Sequence, residues 1–196
     1  ATNLTILSGN IGGATTDSSY HVFITTGLTS AAVIDGFTIR DSKADGNGGI
    51  NYASISFDRG SGGGMYNQSS SPKLTTTTFT ENTATYSGGG IFNWNSDPII
   101  TNTTFSKDTA SYGGGMYNNS SSSPTISTTT FSENTASYGG GMYNQNSSSP
   151  TIANTTFSEN TADYGGGMYN DESSPTIITN STFSENTANA GGAMHN

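Results

Sequence analysis

Ser149-Pro150-Thr151-Ile152-Ala153-Asn154-Thr155-Thr156-Phe157-Ser158-Glu159-Asn160-Thr161-Ala162-Asp163-Tyr164-Gly165-Gly166-Gly167-Met168-Tyr169-Asn170 decides how the chain is read, because nearly the same wording recurs before and after it. Phenylalanine returns at Phe79, Phe105, Phe131, Phe157 and Phe183, always after 26 residues. Glycine runs open at Gly62, Gly88, Gly113, Gly139, Gly165 and Gly191, in steps of 26, 25, 26, 26 and 26. A fixed period of this length marks a solenoid, whose repeats bury their apolar surface mainly against their neighbours.

Residues 122–147 show how one repeat is built. Pro124 cannot donate to a strand ladder and opens the segment Thr125-Ile126-Ser127. Thr128-Thr129 turns the chain into Thr130-Phe131-Ser132, and Glu133-Asn134 turns it again into Thr135-Ala136-Ser137. Gly139-Gly140-Gly141 then allows a tight backbone path before Met142-Tyr143-Asn144. Side chains alternate across a strand, so Ile126, Phe131, Ala136 and Met142 point inward and their neighbours outward. Equivalent residues then stack into ladders: Leu74, Ile100, Ile126 and Ile152; the phenylalanines; Ala84, Ala110, Ala136, Ala162 and Ala188; and Ile91, Met116, Met142, Met168 and Met194. No 3.6-residue periodicity survives, so helix is not expected.

Residues 1–61 are less regular. Thr5-Ile6-Leu7, Tyr20 to Ile24, Ala32-Val33-Ile34 and Gly36 to Arg40 read as short strands between Gly, Asp, Ser and Thr turn clusters. Asp41 to Asn51, rich in Gly and Asp, reads as a loop. One domain follows, with irregular coils over 1–61 and regular repeats over 62–196.

An apolar fraction of 30% would suit disorder, but charged residues are only 10% and the apolar ones recur in register, which argues for a thin ordered spine. A net charge of −9 with five basic residues leaves no basic footprint for nucleic acid or anionic lipid. No apolar run approaches membrane-spanning length and no leader-like apolar segment opens the chain. With zero Cys there is no disulfide, thiolate metal site or cysteine nucleophile, which suits an oxidising exterior.

Phe79 to Asn82, Phe131 to Asn134, Phe157 to Asn160 and Phe183 to Asn186 share the pattern Phe-x-x-Asn, and Phe105 to Asp108 varies it with an Asp. Gly191-Gly192-Ala193-Met194 gives a Gly-Gly-Ala-apolar run, with a third Gly in the other coils. These motifs resemble the right-handed β-helix repeats of bacterial and archaeal surface proteins, and more particularly the polymorphic outer-membrane protein repeats. The likeness covers residues 62–196 and implies secretion, a surface location and a role in adhesion or envelope structure. The expected fold is therefore all-β: a right-handed single-stranded parallel β-helix (solenoid) of about seven coils with a 26-residue repeat.

Four surfaces invite a functional reading. Thr78, Thr104, Thr130, Thr156 and Thr182 form one outward column, and Thr83, Thr109, Thr135, Thr161 and Thr187 a second. Such rows resemble the ice-contacting faces of antifreeze proteins, although threonine also simply suits an exposed strand. The column Glu81, Lys107, Glu133, Glu159 and Glu185 stacks like charge, which splays into water or shares a cation. Calcium takes carboxylate and carbonyl oxygens, but one carboxylate per coil makes a poor cage, and Asp41, Asp45 and Asn47 are a comparably weak group. Tyr117, Tyr143 and Tyr169 follow the inward methionines and should form an exposed aromatic edge, beside Tyr86, Tyr112, Tyr138 and Tyr164. Such an edge would meet a glycan or another protein, or else brace the glycine backbone. Catalysis is not expected. Arg40 and Arg59 are the only arginines, His21 and His195 lie far apart, and no coil gathers the paired carboxylates that glycoside hydrolysis needs.

Asn-x-Ser/Thr sequons begin at Asn3, Asn67, Asn102, Asn118, Asn119, Asn146, Asn154 and Asn180. The last coil, ending Met194-His195-Asn196, brings no capping helix, so head-to-tail stacking of copies into a filament is a further expectation. The function expected is a non-enzymatic extracellular structural or adhesive element, with ice binding and glycan binding as alternatives.

Overall fold

The computed structural model describes residues 5–11, 18–52, 55–171 and 174–196; the sequon at Asn3 lies outside them. Among the described residues all regular structure is strand. The strands wind into a prism with three long parallel sheets. One contains Thr5–Ser8, Phe37–Arg40, Thr78–Thr80, Thr104–Ser106, Thr130–Ser132, Thr156–Ser158 and Thr182–Ser184. The second contains Phe23–Thr26, Met65–Gln68, Ile91–Trp94, Met116–Asn119, Met142–Asn144, Met168–Asn170 and Met194–His195. The third runs through Val33–Asp35, Lys73–Thr75, Ile99–Thr101, Thr125–Ser127, Thr151–Ala153 and Ile177–Thr179. Although two sheets are seven strands deep, the regular turns number about five rather than seven, because the first strands of each sheet come from the irregular N-terminal stretch.

The inner faces close on one another as a dry spine. Phe79, Phe105, Phe131 and Phe157 are fully buried, and each ring stacks on the next, down to Phe183, at 4.6–5.0 Å and within 7° of parallel. Leu74, Ile100 and Ile152 from the third sheet and Met65, Met116, Met142 and Met168 from the second complete the same cluster. Repetition lets a weakly apolar chain form this core, since each side chain meets copies of itself above and below.

Two turns set the coil's shape. At the first, Asn82 and its equivalents do not take the left-handed backbone that asparagine readily tolerates. The preceding residue does, with φ of 58° at Glu81, 56° at Lys107, 56° at Glu133, 57° at Glu159 and 56° at Glu185. The asparagine is thereby swung inside. Asn134 Nδ2 donates to the Phe105 carbonyl (3.0 Å) in the coil before and to Asn160 Oδ1 (2.9 Å) in the coil after. These bonds offset the strain of a non-glycine residue at positive φ. At the second turn Gly139 has φ of 65°, and a Cβ on Gly140 would lie 2.5 Å from the Gly166 carbonyl oxygen. The middle glycine is thus required by contact with the next coil.

Two departures from regularity matter later. Asp41 to Asn51 is not a simple loop: Gly49–Tyr52 pairs antiparallel with Ile55–Asp58. This hairpin folds against the second sheet, with Phe57 edge-on to Tyr66 at 5.5 Å. The second departure explains the 25-residue glycine step. Ser87 is the extra residue, and it, not Tyr86, bridges to Tyr112. Tyr86 is displaced from the column and lies over Gly60, where a Cβ would meet its ring at 2.5 Å.

Candidate functional site

The outer face of the second sheet is where chemistry gathers. Its strands alternate, so the residue after each buried Ile or Met points out: Phe92 after Ile91, Tyr117 after Met116, Tyr143 after Met142, Tyr169 after Met168. Parallel register stacks them, with ring centroids 5.3 Å apart from Phe92 to Tyr117, 5.2 Å to Tyr143, 5.0 Å to Tyr169 and 4.9 Å to His195. They were expected to be an exposed edge. That exposure is corrected: Tyr117 and Tyr143 are each only 5% accessible and Tyr169 is half-buried. A second ring column covers them. Tyr112, Tyr138 and Tyr164 stack on one another at 5.2–5.4 Å and meet the first column edge-on, as Tyr112 does Tyr143 at 5.6 Å and Tyr138 does Tyr169 at 5.5 Å. Tyr112 and Tyr164 are the exposed members.

Between these columns runs a groove of about 450 Å³. Tyr112 and Tyr138 form one side, Tyr117, Tyr143 and Tyr169 the bottom, and Gln145 with Asp171 the other side; Ser87 stands at the foot, where the extra residue has removed a tyrosine. Gln145 and Asp171 continue the outward alternation, two residues after each tyrosine. The bottom hydroxyls are tied to that rim: Tyr117 donates to Gln145 Oε1, and Tyr143 donates to Asp171 Oδ2 at 3.3 Å. Gln145 Nε2 also donates to Asp171 Oδ2, at 3.1 Å. Burial pushes the Tyr117 phenol up to about 12, and burial followed by the Asp171 charge drives Tyr143 higher still, so both stay neutral hydrogen-bonding groups. Trp94 stands in the same rim column, in register with Asn119 of the next coil, 41% exposed beside Phe92 at 6.3 Å. Sequence reading passed over Ser87, Trp94, Gln145 and Asp171. The signals were the single 25-residue step and the period of two beyond each tyrosine.

The threonine columns lie elsewhere. Thr78, Thr104, Thr130, Thr156 and Thr182 pair in register on the outside of the phenylalanine sheet, the first four half-buried and Thr182 exposed. Thr83, Thr109, Thr135, Thr161 and Thr187 bridge in register along the next edge, exposed from Thr109 onward. In the acidic column Lys107 reaches Glu133 at 3.8 Å with both side chains about half exposed, a contact that contributes little. Asp41 and Asp45 are paired with Arg40 and Lys43, at 3.0 and 3.1 Å. Among the described residues no three His, Asp or Glu side chains converge as a metal site. His21 is buried with Nδ1 3.0 Å from the Gly62 carbonyl oxygen, and burial lowers its pKa.

Two amide ladders run through the interior, one on the strands of the second sheet and one at the first turn. Asn67, Asn93, Asn118, Asn144 and Asn170 are linked side chain to side chain at 2.7–2.8 Å, which removes the sequons at Asn67 and Asn118 from solvent. The other ladder contains one carboxyl. Asp108 is fully buried; its Oδ1 accepts from the backbone and side chain of Asn82 (2.9 and 3.0 Å), while Oδ2 has no partner. By equivalence with Asn134, Oδ2 occupies the place of an amide nitrogen, facing acceptors. Burial raises the Asp108 pKa well above the carboxylate range, opposed by the Asn82 bonds and reinforced by Glu81. A protonated Oδ2 supplies the donor that this position demands.

Residues 65–196 match the family model of the right-handed β-helix region, and the chain belongs to that family. No curated protein and no solved structure gives a significant match.

Proposed function

We propose that the chain is a non-catalytic, extracellular structural and adhesive rod. The observation that carries this reading is the continuity of its ladders: phenylalanine rings, two amide columns and two tyrosine columns repeat along one axis, coil upon coil. Such a body is stiff along its length and presents the same contact many times, so weak single contacts add by multivalency. The likeness of its repeats to polymorphic outer-membrane proteins supports a place at the cell surface, and stacking of copies would lengthen the rod into a filament. Electron microscopy of native surface material, with adherence of cells bearing or lacking the chain, tests this. Rods or fibres and lost adherence on deletion are expected; a chain confined to the cell interior overturns the reading.

A second reading, ice binding, is favoured by the in-register threonines at strand spacing on the phenylalanine sheet. Ice crystals shaped by the protein, and not by a Thr130→Lys, Thr156→Lys variant, would establish it.

A further inference from the structure

We propose that the tyrosine groove on the second sheet binds a neutral glycan chain lying along the solenoid axis. This rests on the reading of the rod as an adhesive surface and names its partner chemistry. The groove is amphipathic in the way a sugar ring is. Stacked tyrosine edges offer apolar surface to a pyranose face, and phenols, an amide and a carboxylate offer hydrogen bonds to its hydroxyls. Tyr112 and Tyr138 make no side-chain hydrogen bond among the described residues, so their hydroxyls are available as donors and acceptors to a ligand. The bottom hydroxyls are already fixed by Gln145 and Asp171, which makes the surface rigid before binding. Trp94 adds an exposed indole on the same rim.

Charge selects the ligand class. Among the described residues Asp171 is the one charged group lining the groove, and the chain carries −9 overall, so a uronic-acid or sulfated polymer is repelled. Extent selects a chain over a single sugar: equivalent rings recur every 5.0–5.4 Å through three coils, a row that one monosaccharide cannot span.

Affinity electrophoresis of the whole chain through gels containing soluble neutral β-glucan, xylan, mannan or, separately, polygalacturonate tests this. Retardation by at least one neutral polymer and none by polygalacturonate is expected. Tyr138→Ala and Trp94→Ala should weaken retention roughly tenfold, as loss of an aromatic anchor does, while Thr104→Lys on the phenylalanine sheet leaves it intact. Tyr138→Phe keeps the ring and guards against misfolding; it should weaken binding at an unchanged melting temperature. Absence of retardation by every neutral polymer, unaltered retention in Tyr138→Ala, or preference for polygalacturonate overturns the proposal. Adherence without glycan retention leaves the adhesive rod standing and removes only the glycan; retention by a chain that never reaches the exterior does the reverse.

Discussion

Two of the aromatic ladders run side by side through the regular coils at almost one pitch, and they do different things. Inside, Phe105, Phe131 and Phe157 stack at 4.7 Å as fully buried rings that carry no polar end. Outside, Tyr117, Tyr143 and Tyr169 stack at 5.0–5.2 Å, yet their hydroxyls reach Gln145 and Asp171 and open on a groove. Parallel register produces both columns; the side of the strand decides whether a column becomes core or contact surface. A ring with no polar end is best used where water is excluded, and a phenol where one edge stays wet.

The largest way to break the comparison is to remove one ring from the inner ladder. Phe131→Ala should lose about 3–5 kcal/mol in denaturant unfolding, since a fully buried ring leaves a cavity between its stacked neighbours. Tyr138→Ala, at the half-buried outer column, should lose only about 1 kcal/mol in the same measurement. If the two losses are equal, the outer rings are core and the distinction fails.

Asp108 sharpens the contrast within the interior. Asp108→Asn supplies the amide donor without the proton that a buried carboxyl must first take up, and should stabilise by about 1–3 kcal/mol at pH 7. The folded pKa is raised, so Asp108 contributes its full stability below the unfolded value near 3.8 and loses it as pH rises towards the folded value. The gap between variant and wild type should therefore widen from pH 4 to pH 7 in parallel urea melts.

Smaller effects are expected on the outer faces of the sheets. Tyr143→Phe deletes the 3.3 Å bond to Asp171 and should lose about 0.5–1.5 kcal/mol. Thr130→Lys changes an outward side chain on the phenylalanine sheet and should stay within about 0.5 kcal/mol by thermal melting.

Much of this was legible in the residues. Phenylalanines 26 apart place one ring per coil, and period-two alternation places Met142 in and Tyr143 out. What alternation does not tell is which neighbour folds over an outward side chain. Tyr138 lies outside any strand, so its ring over Tyr143 and Tyr169 had no pattern to announce it. The turns misled for a similar reason. Asparagine tolerates positive φ, but burying its amide in a ladder gains more than the strain placed on Glu133 or Glu159 loses, so the glutamates take the turn. Residues 41–51 look like any polar loop, and half of a hairpin shows there only once its partner Ile55–Asp58 is known.

Axial register underlies every column described, and the absence of cysteine makes it directly measurable. Spin labels on Thr78→Cys and Thr182→Cys span four strand steps of the phenylalanine sheet, so dipolar spectroscopy should give one narrow distance near 19 Å. The pair Thr78→Cys and Thr130→Cys should fall about 10 Å shorter. A broad distribution, or a Thr78–Thr182 separation far beyond four strand spacings, would contradict the stacked coil and every surface built on it.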